Sequence, residues 1–461
     1  MKIALVDIFD KKEEIQSKYY SLGLGHLVSY LKKDIRRRLN INIINSNIEK
    51  EIILFKPDVV GLSCVSQNFN RAKQIAKFCH EKGIIVIIGK SHISALPCSL
   101  DKNMDIGVIG EGEETFSELI KLLLNNRLVK KELRNIKGIV YHDGQGLVTT
   151  EPRPLIENLD SIPFPDRDIL RIKRGDSIYM FTSRGCPYQC RFCFSSRFWN
   201  TVRFFSAEYV VSEIKYLVSK YSPLRITFCD DLFIADKERL KKIVSLMKAQ
   251  SFYKKIKFTI SVRANLINDE TAKLIKEMGV DIVTMGLESG NNRVLNFLKG
   301  STVTVQTGQE AITILKKYKL QVSASFIIGS PDETKEEIID TYNFIRRSRL
   351  DLFEAGVLVP LPGTPIWDYA LRKGFVSNDM DWDKLNINFL DNYNKYVILS
   401  EKLSREELKG LYCLFQKERR RRHFILRIKY IYRRPKEILY YLRRKIMENY
   451  AFLLNSVNNK K

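Results

Sequence analysis

Within the stretch T-S-R-G-C-P-Y-Q-C-R-F-C, residues 182–193, three cysteines share one tight loop: Cys186, Cys190 and Cys193. Thiolates are soft ligands suited to iron-sulfur clusters. Three of them can hold three corners of a four-iron cluster and leave the fourth iron open for chemistry. Zinc fits worse, because it takes four Cys or His ligands as two spaced pairs. The nearest histidine in sequence, His142, lies far upstream with no partner at such spacing. A disulfide would leave one of the three clustered thiols unpaired. The other cysteines, Cys64, Cys79, Cys98, Cys229 and Cys413, are scattered among mostly apolar neighbours, and most of them read as small buried residues.

The C-x3-C-x-aromatic-C spacing, with Phe192 in the aromatic position, resembles the signature of the radical S-adenosylmethionine (radical SAM) enzymes. The resemblance implies a four-iron, four-sulfur (4Fe-4S) cluster on the three cysteines, with S-adenosylmethionine chelating the open iron. It further implies reductive cleavage to methionine and a deoxyadenosyl radical, fed by an electron donor such as flavodoxin or ferredoxin.

The elements that must position this loop lie in residues 177–368. Strand patterns at 178–182, 225–229, 257–261, 281–285, 321–328 and 352–359 alternate with helical ones at 207–220, 237–249, 269–278, 305–318 and 335–347. Six repeats are too few for a closed eight-fold barrel, yet functional residues still belong at the strand carboxyl ends. A partial (β/α)6 TIM-type barrel is what the resemblance implies. Asp230 and Asp231, in F-C-D-D-L-F, either cap the following helix or, by the resemblance, hold the methionine amino group. Arg263, in S-V-R-A-N, is a candidate partner for the methionine carboxylate through a bidentate fork. Glu288 and Ser289, in G-L-E-S-G, are candidates for the ribose hydroxyls or the amino group. The plainer role for Arg263 and Glu288 is a salt bridge in the barrel mouth. The segments F-I-I-G-S-P-D-E-T and V-P-L-P-G-T-P resemble family segments at the barrel top near the adenosine.

Residues 1–126 show a second α/β pattern, with strands at 3–6, 41–44, 59–63, 84–88 and 106–109 and helices near 25–38, 70–82 and 113–125. This predicts a doubly wound, Rossmann-like, five-stranded parallel sheet that binds ligands beyond its carboxyl edge. Ser63 and Ser66, Gly89 and His92, and Gly110, Glu111 and Gly112 fall at that edge. Together with the cysteine loop, and with I-G-E-G-E at 109–113, the arrangement resembles the cobalamin-binding domain that precedes many radical SAM barrels. The D-x-H-x-x-G motif that supplies a histidine to cobalt is absent, and His26, His80 and His92 stand outside such a context. The resemblance therefore implies base-off cobalamin with no protein histidine on the metal. Residues 127–176 read as a connector, a hairpin around D-G-Q-G followed by a proline-rich linker.

The chain has 461 residues, 44% hydrophobic and 11% aromatic, enough for two or three folded domains. Its start reads as a first strand rather than a signal peptide, and no apolar run reaches the ~18 residues of a membrane span. The expectation is a cytoplasmic protein. A net charge of +24 points to an anionic partner. Much of that charge lies in residues 369–461, a helical, basic region with R-R-R-R at 419–422, R-R at 433–434 and R-R-K at 443–445 among Phe, Ile, Leu and Tyr. Such a helix packs on the barrel, lies peripherally on an anionic membrane or, less in keeping with the rest of the chain, grips nucleic acid.

The function expected is a cobalamin-dependent radical SAM enzyme modifying an unactivated carbon by methyl transfer, with a small-molecule or lipid-like substrate. A radical cyclase or rearrangement enzyme on the same cofactors is the nearest alternative. An RNA methylthiotransferase fits less well, because the three-cysteine N-terminal domain and terminal RNA-binding barrel of that class are not visible. A non-catalytic cofactor-binding protein is disfavoured by the intact triad and its neighbours Asp231, Arg263 and Glu288.

Overall fold

The computed structural model describes residues 1–9, 20–386 and 393–433. In its first domain β1 (Lys2–Asp7), β2 (Asn40–Ile44), β3 (Val59–Ser63), β4 (Ile85–Gly89) and β5 (Ile106–Val108) pair in parallel in the order β2-β1-β3-β4-β5. Near-continuous apolar runs suit a sheet covered on both faces. Along β1, Ala4 and Val6 join one layer of the core and Ile3 and Leu5 the other. The covering helices are α1 (Leu22–Asp34), α2 (Ile48–Phe55), α3 (Phe69–His80), α4 (Ser91–Ala95) and α5 (Gly112–Leu124). Helix α2 has no clear apolar stripe: it buries Ile52 and leaves Ile53 and Leu54 exposed, so periodicity did not show it.

The connector's hairpin forms as β6 (Ile139–His142) and β7 (Leu147–Thr149). It extends the first sheet to seven strands, β6 pairing antiparallel with β5 so that Ile106 faces Tyr141. Ile139, Val140 and Tyr141 are buried, and the three-residue β5 no longer presents an open edge.

The second domain is a parallel sheet of six strands: β8 (Ile178–Met180), β9 (Ile226–Phe228), β10 (Phe258–Val262), β11 (Val280–Glu288), β12 (Gln321–Ile328) and β13 (Leu352–Val357). They lie in sequence order, so β8 and β13 are the free edges of an incomplete barrel. Between them run α6 (Ser195–Trp199), α7 (Ala207–Tyr221), α8 (Lys237–Lys248), α9 (Asp269–Met278), α10 (Asn292–Lys299), α11 (Val305–Lys317) and α12 (Lys335–Arg347). Helices α9 and α12 start at capping boxes, Asn268 with Thr271 and Thr334 with Glu337, and α9 stops at Gly279 with φ +98°.

After the barrel the chain returns to the first domain through α13 (Pro365–Arg372). Trp367, Trp382, Leu385 and Leu399 bury themselves in the core layer that holds Ala4 and Val6. Helix α14 (Arg405–Arg433) then covers the β13 edge, with Leu408, Tyr412 and Phe415 in the barrel core. No helix among the described residues is long and apolar enough to cross a membrane. The arginine groups at 433–434 and 443–445 lie wholly or partly outside the described side chains.

Candidate active site at the domain junction

The cysteine loop leaves β8 braced at its root. Asp230, buried at the end of β9, accepts hydrogen bonds from Thr182 N, the Thr182 hydroxyl and Ser183 N. Arg239 donates to Thr182 O and Phe205 O. Gly185, at φ +98°, runs so close to residue 201 that a Cβ would meet Thr201 O at 2.2 Å, so no other residue fits there. Beyond it Cys190 is buried and Cys186 and Cys193 are half-buried, all three as free thiols. Burial pushes the Cys193 thiol up to about 11 and raises Cys186, with Asp231 and the neighbouring thiols adding to both. Metal binding must therefore displace protons. Among the described residues no three His, Cys, Asp or Glu side chains are set to hold one metal ion. Each thiolate of a four-iron cluster grips a different iron, so this set fits a cluster better than zinc.

Around the loop, Arg263 donates to Cys190 Sγ at 3.4 Å and to Thr302 Oγ1 at 2.9 Å, its guanidinium 3.8 Å above the Tyr188 ring. Asp231 opens outward and accepts from the Ser195 hydroxyl. Desolvation raises its carboxyl, against Ser195 and the Gly185 N–H. Glu288, at φ +64°, is buried beside Lys299 Nζ at 3.4 Å and Ser325 Oγ at 3.4 Å. Burial raises it, and Lys299 opposes.

A cavity of about 740 Å³ separates the two sheets' carboxyl edges. Ser63, Gly89, Gly110, Glu111 and Gly112 line it from the first domain; Asp230, Asp231, Thr259 and Ser261 line it from the barrel. Its volume is at the upper end of small-ligand sites. A Cβ on Gly110 would meet nothing within 4 Å and one on Gly89 only Val108 Cβ at 3.9 Å, so the sheet edge offers bare backbone to a large cofactor.

Several candidates sit elsewhere. His92 and Ser66 do not line the cavity: His92 bonds Ser66 and Ser99 through its two ring nitrogens, each at 3.0 Å, and packs on Phe69 and Trp382. Burial and Lys73 depress it to about 3, so it is a neutral core residue. Their expected cofactor role is corrected, because the turns after β3 and β4 send Ser66 and His92 to the opposite face of the sheet. Ser289 accepts from Asn291 N and bonds Thr341 in the turn before α10, whose cap is Asn291. Phe192 packs beside the interdomain core.

Glu111 lines the cavity with its carboxylate fully engaged. It accepts from Arg184, Arg203 and Ile156 N, while Glu113 takes the other arm of Arg184. Both arginines lie 5.5 Å from the Trp199 ring centre, which itself lines the cavity. This buried network, which no spacing in the sequence announces, locks the cysteine loop to the first domain. His26 was also missed as a lining residue. It is buried, with Nδ1 unpartnered, and burial together with Arg184 and Arg167 keeps it neutral.

Models of known families match two stretches: the radical SAM superfamily over residues 180–345 and the B12 binding domain over residues 13–120. An uncharacterised methyltransferase of Pyrococcus horikoshii is 34% identical over 378 residues, 79% of this chain and 81% of the relative. The anaerobic magnesium-protoporphyrin IX monomethyl ester cyclase of Cereibacter sphaeroides is 25% identical over 343 residues, 70% of this chain and 55% of the cyclase. The radical S-adenosylmethionine methyltransferase TsrM of Kitasatospora setae, solved with cobalamin and a four-iron, four-sulfur cluster, shares the fold at TM-score 0.68. It has 16% identity, with 81% of this chain and 75% of that one covered. The chain belongs to the cobalamin-binding radical SAM enzymes, and its cofactors are a four-iron, four-sulfur cluster, S-adenosylmethionine and cobalamin.

Proposed function

We propose that the enzyme transfers a methyl group to an unactivated carbon of a small, lipid-like molecule. The observation that supports it is the single cavity shared by the barrel mouth below the cysteine loop and the edge of the cobalamin-binding sheet. When bound, the cluster with S-adenosylmethionine supplies a carbon radical that removes hydrogen, and cobalamin supplies a methyl group. The chain's part is placement. Cys186, Cys190 and Cys193 hold the cluster, and Arg263, which sets a positive charge against Cys190, is the partner for the methionine carboxylate. Asp231, exposed toward the cavity, meets the methionine amino group. Asp230 positions the loop, its lone pairs being spent on Thr182 and Ser183. Phe181, Phe198, Trp199 and Phe228 line the cavity and limit water.

Ser63, Gly89 and Gly110 at the sheet edge would hold cobalamin base-off, with no histidine supplied to it. His26 is the described histidine at the cavity and hence the residue to exclude. Electron paramagnetic resonance of the cob(II)alamin form is expected to show no nitrogen coupling, and coupling lost in His26→Ala would overturn this. Anaerobic reconstitution with iron, sulfide, cobalamin and S-adenosylmethionine, reduced by flavodoxin or ferredoxin, is expected to give deoxyadenosine. The triple cysteine-to-alanine variant should give none above background. Equal cleavage by both would end the reading. Deoxyadenosine without any methylated product, once a substrate is found, would favour ring formation, which the similarity to the cyclase keeps in view.

A cytoplasmic enzyme working on lipid would gain from peripheral membrane contact. Phe424 is 64% exposed and Ile428 37%, and Arg420, Arg421, Arg427 and Lys429 are exposed around them. Co-sedimentation with anionic but not neutral vesicles, lost on truncation at Phe415, is the expected outcome.

A further inference from the structure

One residue at the carboxyl edge of the first sheet holds a backbone conformation that its side chain disfavours. Lys90, between β4 and α4, has φ +83° and ψ −167°, a region populated almost only by glycine. The turn itself needs no side chain there, since Lys90 O accepts from Ser94 N and the Ser94 hydroxyl through backbone alone. A lysine kept where glycine would sit without strain points to a use for the ammonium.

The surroundings narrow that use. Two permanently cationic side chains line the cavity among the described residues, Arg184 and Lys90. Arg184 is saturated by Glu111 and Glu113. Lys90 has a loose partner, Asp7 at 3.8 Å, and its side chain is 42% exposed. A half-exposed pair at that distance contributes little. Asp7, Ser63 and Gly89 form a polar rim at the ends of β1, β3 and β4. Two residues earlier on the same face of each strand stand Leu5, Gly61 and Ile87, which line the same cavity with Leu24 and Phe116. The groove is thus an apolar slot under a polar rim, at which Lys90 is the lining cation without a close partner.

We propose that Lys90 is an anion anchor at this rim and that its partner is the phosphodiester of cobalamin. The inference rests on the base-off reading above. Cobalamin carries one phosphodiester, joined to an aromatic base, and that charge matches the rim. Lys90 swings from Asp7 to the phosphate, and Asp7 keeps Ser63 and Ser21 as partners.

The test compares hydroxocobalamin with cobinamide, which lacks both phosphodiester and base, by absorbance titration and equilibrium dialysis on the full-length, cluster-reconstituted protein. The parent should bind cobalamin more tightly than cobinamide. Lys90→Gly should weaken cobalamin binding about tenfold, the scale of one charge-assisted contact. It should leave cobinamide binding unchanged and the thermal midpoint of the apoprotein no lower. Lys90→Arg should retain most of the preference, and added salt should narrow the gap in the parent but not in Lys90→Gly. If the parent prefers cobalamin and Lys90→Gly keeps the whole preference, the anchor is overturned while the base-off reading stands. If the parent does not discriminate, the nucleotide makes no net contact and the anchor is overturned, while the base-off reading is decided separately by the paramagnetic resonance of the parent and His26→Ala. Loss of both ligands together with a lower midpoint would assign Lys90 a structural role instead, which also overturns the proposal.

Discussion

Two arginine-rich regions of this molecule put the same side chain to different uses. At the domain junction, Arg184 is buried with Glu111 and Glu113, Arg203 is half-buried beside them, and every charge there has a fixed partner. Along α14, the run from Arg419 to Arg422 spans both situations within one turn of helix. Arg422 is buried, donating to Leu350 O, Ile345 O and Glu418, whereas Arg420 faces solvent. A net charge of +24 describes both regions equally and distinguishes neither. What separates them is desolvation: a buried guanidinium fixes geometry because leaving it or its partner unpaired is costly, while an exposed one is free to meet an anion.

The largest effect should come from breaking the junction. Arg184→Met strands the buried Glu113 carboxylate, while Glu111 keeps Arg203 and Ile156 N, a change expected to cost about 3–5 kcal/mol. The pH dependence sharpens the test. Burial alone would raise the Glu113 carboxyl, but Arg184 and the other contacts outweigh it and hold it below its ordinary 4.5. In the parent this stabilisation is fully present above the unfolded value and is lost as pH falls through the depressed folded value. Without Arg184 burial is no longer offset, the folded value rises and the sign reverses, so the variant loses stability as pH rises. Thermal melts from pH 4 to 8 should therefore show the gap between the two proteins widening toward neutrality. A constant gap would mean the network is not electrostatic.

Next in size is the brace under the cysteine loop. Asp230→Asn trades a carboxylate that accepts three hydrogen bonds for an amide with one acceptor oxygen, at a cost of about 2 kcal/mol. Iron and sulfide per chain after anaerobic reconstitution should fall, because the thiols lose their fixed spacing. Full cluster loading at unchanged affinity for S-adenosylmethionine would show that the loop holds its shape without Asp230.

Much of this was legible in the sequence, and the exceptions share a cause. The cysteine spacing and the strand and helix alternation of both domains are local signals, and the structure carries them with small shifts in boundary. Which face of a sheet a residue takes after a turn is not local. Ser66 and His92 lie just past the strands that Ser63 and Gly89 end, yet His92 packs against Trp382 and bonds Ser66, while Ser63 and Gly89 line the cavity. Glu111 had the right place and a different duty, since the arginines that occupy it come from residues 184 and 203. Lys90 gave no sign at all, because a strained φ exists only once the chain is folded.

The smallest effects divide the two kinds of arginine within α14 itself. Arg422→Met removes donors from Leu350 O and Ile345 O while Glu418 keeps Arg421, so a loss of about 1–3 kcal/mol is expected in thermal or denaturant unfolding. Arg420→Ala, two positions away on the solvent side, should change stability by no more than about 0.5 kcal/mol. The ranking should invert for anionic vesicles, where Arg420→Ala weakens binding and Arg422→Met leaves it unchanged, because a guanidinium already bound to backbone carbonyls has no donors to offer a lipid headgroup. If both variants lowered vesicle binding equally, α14 would be acting through its fold rather than its surface, and the contrast between buried and exposed arginine would not extend to this helix.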